Sequence, residues 1–166
     1  MKLYVGWNGL GWTGDLPLYD ADGNVAYNLS NKHKGPGPRR FVITDTAGNE
    51  VAVLQQKMSA LLGKYILSRP GEKDVTIKRH LGANYEIKEL GWVVKGNFKG
   101  HDYVAKDKSG NVKYVVSKSS VILGASTQFS SEEGVDVMLA VATLLAVECE
   151  MLQALGMGAG SAMATH

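Results

Sequence analysis

Gly134-Val135-Asp136-Val137-Met138-Leu139-Ala140-Val141-Ala142-Thr143-Leu144-Leu145-Ala146-Val147-Glu148-Cys149-Glu150-Met151-Leu152 is the stretch from which the fold of this chain can be read. Between Val137 and Val147 every residue except Thr143 is apolar, so a helix here has no wet face and must be enclosed on nearly all sides. Ser130 and Glu133 stand at capping-box spacing before the apolar run, and Glu132 and Glu133 place negative charge at the positive end of the helix dipole. The pattern predicts a helix over residues 131–155. Asp136, Thr143 and Glu150 recur every seven residues and form one narrow polar stripe along it. A membrane span needs about 20 apolar residues. Asp136, Glu148 and Glu150 confine the uncharged run to roughly half that, and no Lys or Arg flanks it, so a buried core helix is the expectation.

Upstream of this helix the chain reads as strands and turns. Asp-x-x-Gly-Asn occurs three times, at Asp20 to Asn24, Asp45 to Asn49 and Asp107 to Asn111, each time between apolar runs. The Asp side chain caps such a turn and the Gly takes the positive φ that closes a short hairpin with a bulge. Further strands are expected at Lys2–Val5, Val51–Gln55, Lys64–Leu67, Asp74–Lys78, Tyr85–Leu90, Trp92–Lys95, Tyr114–Ser117 and Ser126–Phe129, with Gly, Pro or Asn turns between them. About a dozen short antiparallel strands avoid bare edges by closing on themselves. An apolar helix with no second helical layer to hide in is then covered by that sheet. The expected architecture is mainly β: a closed antiparallel barrel of ~12 strands wrapped around a buried C-terminal helix, as one domain over residues 1–155, followed by a flexible Gly- and Ala-rich tail at 156–166.

Composition narrows the class. The single cysteine, Cys149, excludes an internal disulfide and lies in the apolar helix, where a small buried hydrophobe is the plain reading. Met1–Leu10 lacks the apolar centre of a signal peptide, so a cytoplasmic domain is expected. Residues 1–118 hold all 18 Lys and Arg against 11 of the 16 acids, a net of +7, and residues 119–166 hold the other five acids and no Lys or Arg, a net of −5. The strand-rich part is the basic part, which favours an anionic partner for its outer surface.

The serial Asp-x-x-Gly-Asn hairpins, the run Val53-Leu54-Gln55-Gln56-Lys57-Met58-Ser59 followed by Lys64-Tyr65-Ile66-Leu67, the strand Trp92-Val93-Val94-Lys95-Gly96-Asn97-Phe98 and the terminal helix from Asp136 to Val147 together resemble the LURP-one-related family. The resemblance spans about residues 1–155. It implies the fold shared with tubby C-terminal domains and phospholipid scramblases, a twelve-stranded barrel threaded by a hydrophobic helix. Tubby domains bind phosphoinositides through basic residues on the barrel wall, scramblases act at membranes, and plant relatives are linked to defence. These motifs mark turns and core strands and identify no lipid-binding residue.

Catalytic signals are sparse. His33, His80, His101 and His166 are isolated and no second cysteine exists, so a zinc site is not expected. Asp20-x-Asp22-Gly23-Asn24 departs from calcium-loop order, with Gly fourth instead of sixth and Asn31 at position twelve. The Gly156–Gly160 cluster follows a helix instead of opening one, unlike a phosphate loop. Cations do gather: Lys32, His33, Lys34, Arg39 and Arg40 lie on a Pro/Gly loop, with Lys78 and Arg79 as a smaller cluster. These seven are the candidate ligand-binding residues, and an anionic phospholipid headgroup at the inner membrane face is the candidate ligand. No catalytic residue, metal or cofactor is expected. Aromatic residues do not interleave with the cations, so nucleic acid is not an expected partner. The alternative is a protein-interaction module in which Trp7, Trp12 and Tyr19 dock a partner; oligomeric state is not legible.

Overall fold

In Glu50–Lys57 (β5) the side chains alternate between buried Ala52, Leu54 and Gln56 and half-exposed Val51, Val53 and Gln55, the period-two pattern of a sheet with one face in the core. The same alternation marks Lys64–Ser68 (β6), Asp102–Lys106 (β10) and Val112–Lys118 (β11). The other strands are Lys2–Val5 (β1), Asp15–Tyr19 (β2), Val25–Asn31 (β3), Arg40–Asp45 (β4), Val75–Arg79 (β7), Tyr85–Ile87 (β8), Trp92–Asn97 (β9) and Thr127–Ser131 (β12). This computed structural model describes residues 1–10, 15–33, 37–58, 63–82, 84–122 and 124–164, with side chains up to Gln153. Each strand pairs antiparallel with its sequence neighbours, and β1 pairs with both β2 and β12, which closes the barrel. The mainly β barrel read from the sequence is the observed fold.

The three repeated turns are superposable in their bonding. Oδ1 of Asp20 accepts the backbone N–H of Asp22 and Asn24; Asp45 does the same for Ala47 and Asn49, and Asp107 for Ser109 and Asn111, all at 2.9–3.0 Å. Gly23, Gly48 and Gly110 take φ of 82°, 88° and 86°, and a register shift marks each hairpin beside its turn. The Asn49 backbone N–H, with further help from its side chain, holds the Asp45 carboxyl below its ordinary value of 3.8, and Asn111 does the same for Asp107. A carboxyl with a depressed native pKa stabilises the fold fully above the unfolded pKa, and that stabilisation is lost as pH falls through the native value. Melting temperature is therefore expected to drop with acid below about pH 4, and Asp45→Asn with Asp107→Asn should make that acid limb shallower. Thermal melts of both proteins from about pH 5 to about pH 2 check this; parallel curves would show that the turns do not titrate with folding.

The enclosed helix is α1, Met138–Ala164. Val137 through Val147 are all buried, Thr143 included, and the core they share is completed by inward residues such as Leu3, Leu29, Leu67, Ile77 and Phe129. Thr143 is accommodated by two hydrogen bonds: its hydroxyl donates to the Leu139 carbonyl at 2.7 Å and lies 2.6 Å from the Tyr114 hydroxyl. The start differs from the expected 131. Ser130 and Ser131 belong to β12, where they pair with Lys2 and Tyr114, and Asp136 is the cap, its Oδ1 accepting the Met138 N–H at 2.9 Å. Gly134, at φ 81°, turns the chain between strand and helix. The helical backbone runs past residue 155 to Ala164. Among the described residues no helix is long and apolar enough to cross a membrane.

The barrel thus has two unlike ends. At the floor, where α1 begins, lie the three Asp-capped turns and Glu132, Glu133 and Asp136. At the mouth, where α1 leaves, lie the end of β5, the start of β6 and the end of β7, with Glu150 of the helix against Tyr65 and Arg79.

Candidate functional site

Strand register assembles a row of cations on the outer wall just below the mouth. Lys57 on β5 stands opposite Lys64 on β6, which in turn stands opposite Lys78 on β7. Arg40 on β4 pairs with Gln55, two residues before Lys57 and on the same face. The Lys32 N–H donates to the Arg40 carbonyl at 2.8 Å, which sets Lys32 beside Arg40. Five neighbouring strands therefore present five cations, and at ~4.8 Å per strand the row spans about 19 Å. Lys64 is half-buried and the other four are exposed; among the described residues none of the five makes an ion pair. Like charges directly opposite each other on a sheet are destabilising, so this row is not what a sheet adopts for its own sake.

The seven candidates from the sequence divide by strand parity. Lys32, Arg40 and Lys78 join the row. Arg39 follows the inward parity of Phe41, and its positive charge acts on the Cys149 thiol at the barrel mouth. Arg79 has the inward parity of Ile77 and lies 3.4 Å from Glu150. His33 is half-buried, its N–H donating to Asn31 Oδ1 at 3.0 Å, and Lys34 lies outside the described residues. Lys57 and Lys64 were not singled out in the sequence. They are distant from the Lys32–Arg40 loop along the chain, and only the β4–β5–β6 pairing brings them to it.

Inside the mouth a second set of polar groups closes the barrel around the helix. The Tyr65 hydroxyl donates to Glu150 Oε1 at 2.6 Å, and burial drives the Tyr65 pKa far above its ordinary value. Gly63 is the only side chain size that fits against this carboxylate, since a Cβ there would lie 1.8 Å from Oε1. Burial pushes the Cys149 thiol up to about 12, so it stays protonated and is no nucleophile at neutral pH. His101, held at φ 52°, places Nε2 2.7 Å from Glu148 and Nδ1 3.2 Å from Thr127, tying helix to rim. Among the aromatic residues named as docking candidates, Trp7 is buried in the core cluster, Tyr19 is half-buried and Trp12 lies outside the described residues.

The floor carries a groove of about 490 Å³ lined by Arg69, Glu72, Trp92, Lys113, Glu132 and Asp136. Two ion pairs cross it: Arg69 meets Asp136 at 2.9 Å, and Lys113 lies 3.4 Å from Glu132 and 5.8 Å above the Trp92 ring.

The family model described as LURP-one-related matches residues 1–148, the whole barrel and α1 as far as Glu148. The chain belongs to the LURP-one-related family. An X-ray structure of a protein from Arabidopsis thaliana shares the fold of this LURP-one-related chain, with a TM-score of 0.60, 16% identity and 90% of each chain covered. At that identity the likeness speaks for the barrel and helix alone. No curated protein matches this LURP-one-related sequence.

Proposed function

We propose that this LURP-one-related barrel is a non-enzymatic binding module that recognises anionic phospholipid headgroups through the row Lys32, Arg40, Lys57, Lys64 and Lys78. The observation that carries the reading is the register itself, which lines up five cations that make no ion pair among the described residues. Juxtaposed Lys and Arg near an anionic leaflet contribute about 1 kcal/mol each, and a row about 19 Å long reaches more than one headgroup. His33 follows Lys32 in the same basic segment, while Arg39 and Arg79 serve the barrel mouth. On this reading the protein works in the cytoplasm, peripherally at the inner membrane face.

Flotation with phosphatidylcholine vesicles, with and without phosphatidylserine, tests the proposal. Wild-type protein is expected to float only with the anionic vesicles and less as salt is raised, since screening shortens the reach of exposed charge. Arg40→Ser, Lys57→Ser, Lys64→Ser and Lys78→Ser together are expected to weaken partitioning by about a hundredfold or more, without loss of the folded far-UV signal. Wild-type protein that stays with the aqueous phase in every condition would overturn the reading.

A further inference from the structure

Exposed apolar side chains lie at both ends of this barrel, and the two most exposed stand at the mouth. Met58, Leu81 and Val121 are 60%, 86% and 71% exposed, and all three stand on loops at the mouth: Met58 follows β5, Leu81 lies between β7 and β8, and Val121 lies between β11 and β12. In the strand order of the closed barrel β5 and β11 are six strands apart, so Met58 and Val121 occupy opposite sides of the rim, with Leu81 between them on one side. Three such points define a plane across the barrel axis. At the floor Met1, Val25, Leu90 and Val112 are exposed as well, but the tips of the three Asp-x-x-Gly-Asn turns carry Asp and Asn, so what tells the two ends apart is charge.

We propose that the mouth is the face that meets the bilayer, with the barrel standing end-on and the tips Met58, Leu81 and Val121 entering the headgroup layer. The inference rests on the anionic-lipid reading above and adds the orientation and the inserted residues. Charge sets the approach. The five-cation row lies just under the rim while Asp20, Asp45, Asp107, Glu132 and Glu133 lie at the floor, so an anionic surface attracts the mouth and repels the floor. Lys57 adjoins Met58, and Lys78 lies three residues before Leu81, so apolar tip and cation reach the interface together. Apolar side chains that enter the interface beside basic ones add burial to electrostatic attraction.

The one native cysteine, Cys149, is fully buried, so a label goes where a new cysteine is placed. Leu81→Cys at the mouth and Val112→Cys at the floor would each carry an environment-sensitive fluorophore, titrated with phosphatidylcholine vesicles containing phosphatidylserine. The expected result is a blue shift and intensity gain at position 81, an unchanged aqueous spectrum at position 112, and partitioning weakened about tenfold by Met58→Ser, Leu81→Ser and Val121→Ser together. If wild-type protein floats with these vesicles while the label at 81 stays aqueous, the label at 112 responds instead, or the triple variant partitions fully, the end-on orientation is overturned and the headgroup-binding row stands. Wild-type protein that does not float at all overturns both.

Discussion

Replacing Leu144 with aspartate is expected to leave no cooperatively folded domain. Leu144 sits near the middle of the Val137–Val147 run at 1% exposure, with sheet on every side. Truncation of a buried leucine alone costs about 2–5 kcal/mol. The aspartate adds an unpaired carboxylate with no water and no partner, a further penalty of several kcal/mol. The sum reaches the roughly 5–15 kcal/mol by which a domain of this kind is stable. Leu144→Ala serves as the graded control, expected to fold with a lowered melting temperature. Calorimetry and near-UV circular dichroism read both; an aspartate variant with an unchanged transition would mean that the helix is not enclosed by the barrel.

Gly96→Val is the second large effect. Gly96 on β9 has φ 144°, and a Cβ there would lie 2.5 Å from the Asp102 carbonyl oxygen and 2.6 Å from the Tyr103 Cα. Both are backbone atoms of the paired strand β10, so neither can rotate away. Strain at such a φ costs about 1–3 kcal/mol and the forced separation of strands about as much again. A loss of about 3 kcal/mol or more corresponds to a melting temperature lowered by about 10 °C. The comparison that isolates the clash is Gly110→Ala. Gly110 also has a positive φ, 86°, but nothing lies within 4 Å of its Cβ position, so backbone strain acts alone. Equal shifts for the two variants would show that the β9–β10 approach is looser than described.

The elements legible in the sequence were those fixed by neighbours along the chain. Asp20, Asp45 and Asp107 cap turns four residues long, and the Val137–Val147 run declares its burial by itself. The helix start misled because the Ser130-to-Glu133 spacing suits a cap, while Ser130 is claimed by Lys2 and Val115 across the sheet, partners more than ten residues away. The same distance problem governs the site. Lys32, Arg40 and Lys78 were visible as local clusters, but Lys57 and Lys64 gain meaning only through cross-strand register, and one residue of slip would turn each to the other face. Alternation also separates Arg39 from Arg40 and Lys78 from Arg79, neighbours that composition counts together and the pleat sends to opposite sides.

Closure of the barrel by β1 against β12 has a consequence for the order of events during synthesis. The hairpins from β2 to β11 involve partners close in sequence and can pair as the chain lengthens, whereas Lys2–Val5 must wait for Thr127–Ser131, and the interior has no filling until Met138 onward arrives. A ribosome that has emitted only the strands displays an open, curved sheet whose concave side is lined with Leu, Ile, Tyr and Phe side chains meant for a helix not yet made. Non-local closure of this kind is slow, and the unfilled sheet is the species that aggregates. Chain truncated before α1 is therefore expected to behave as a chaperone client instead of a smaller folded barrel.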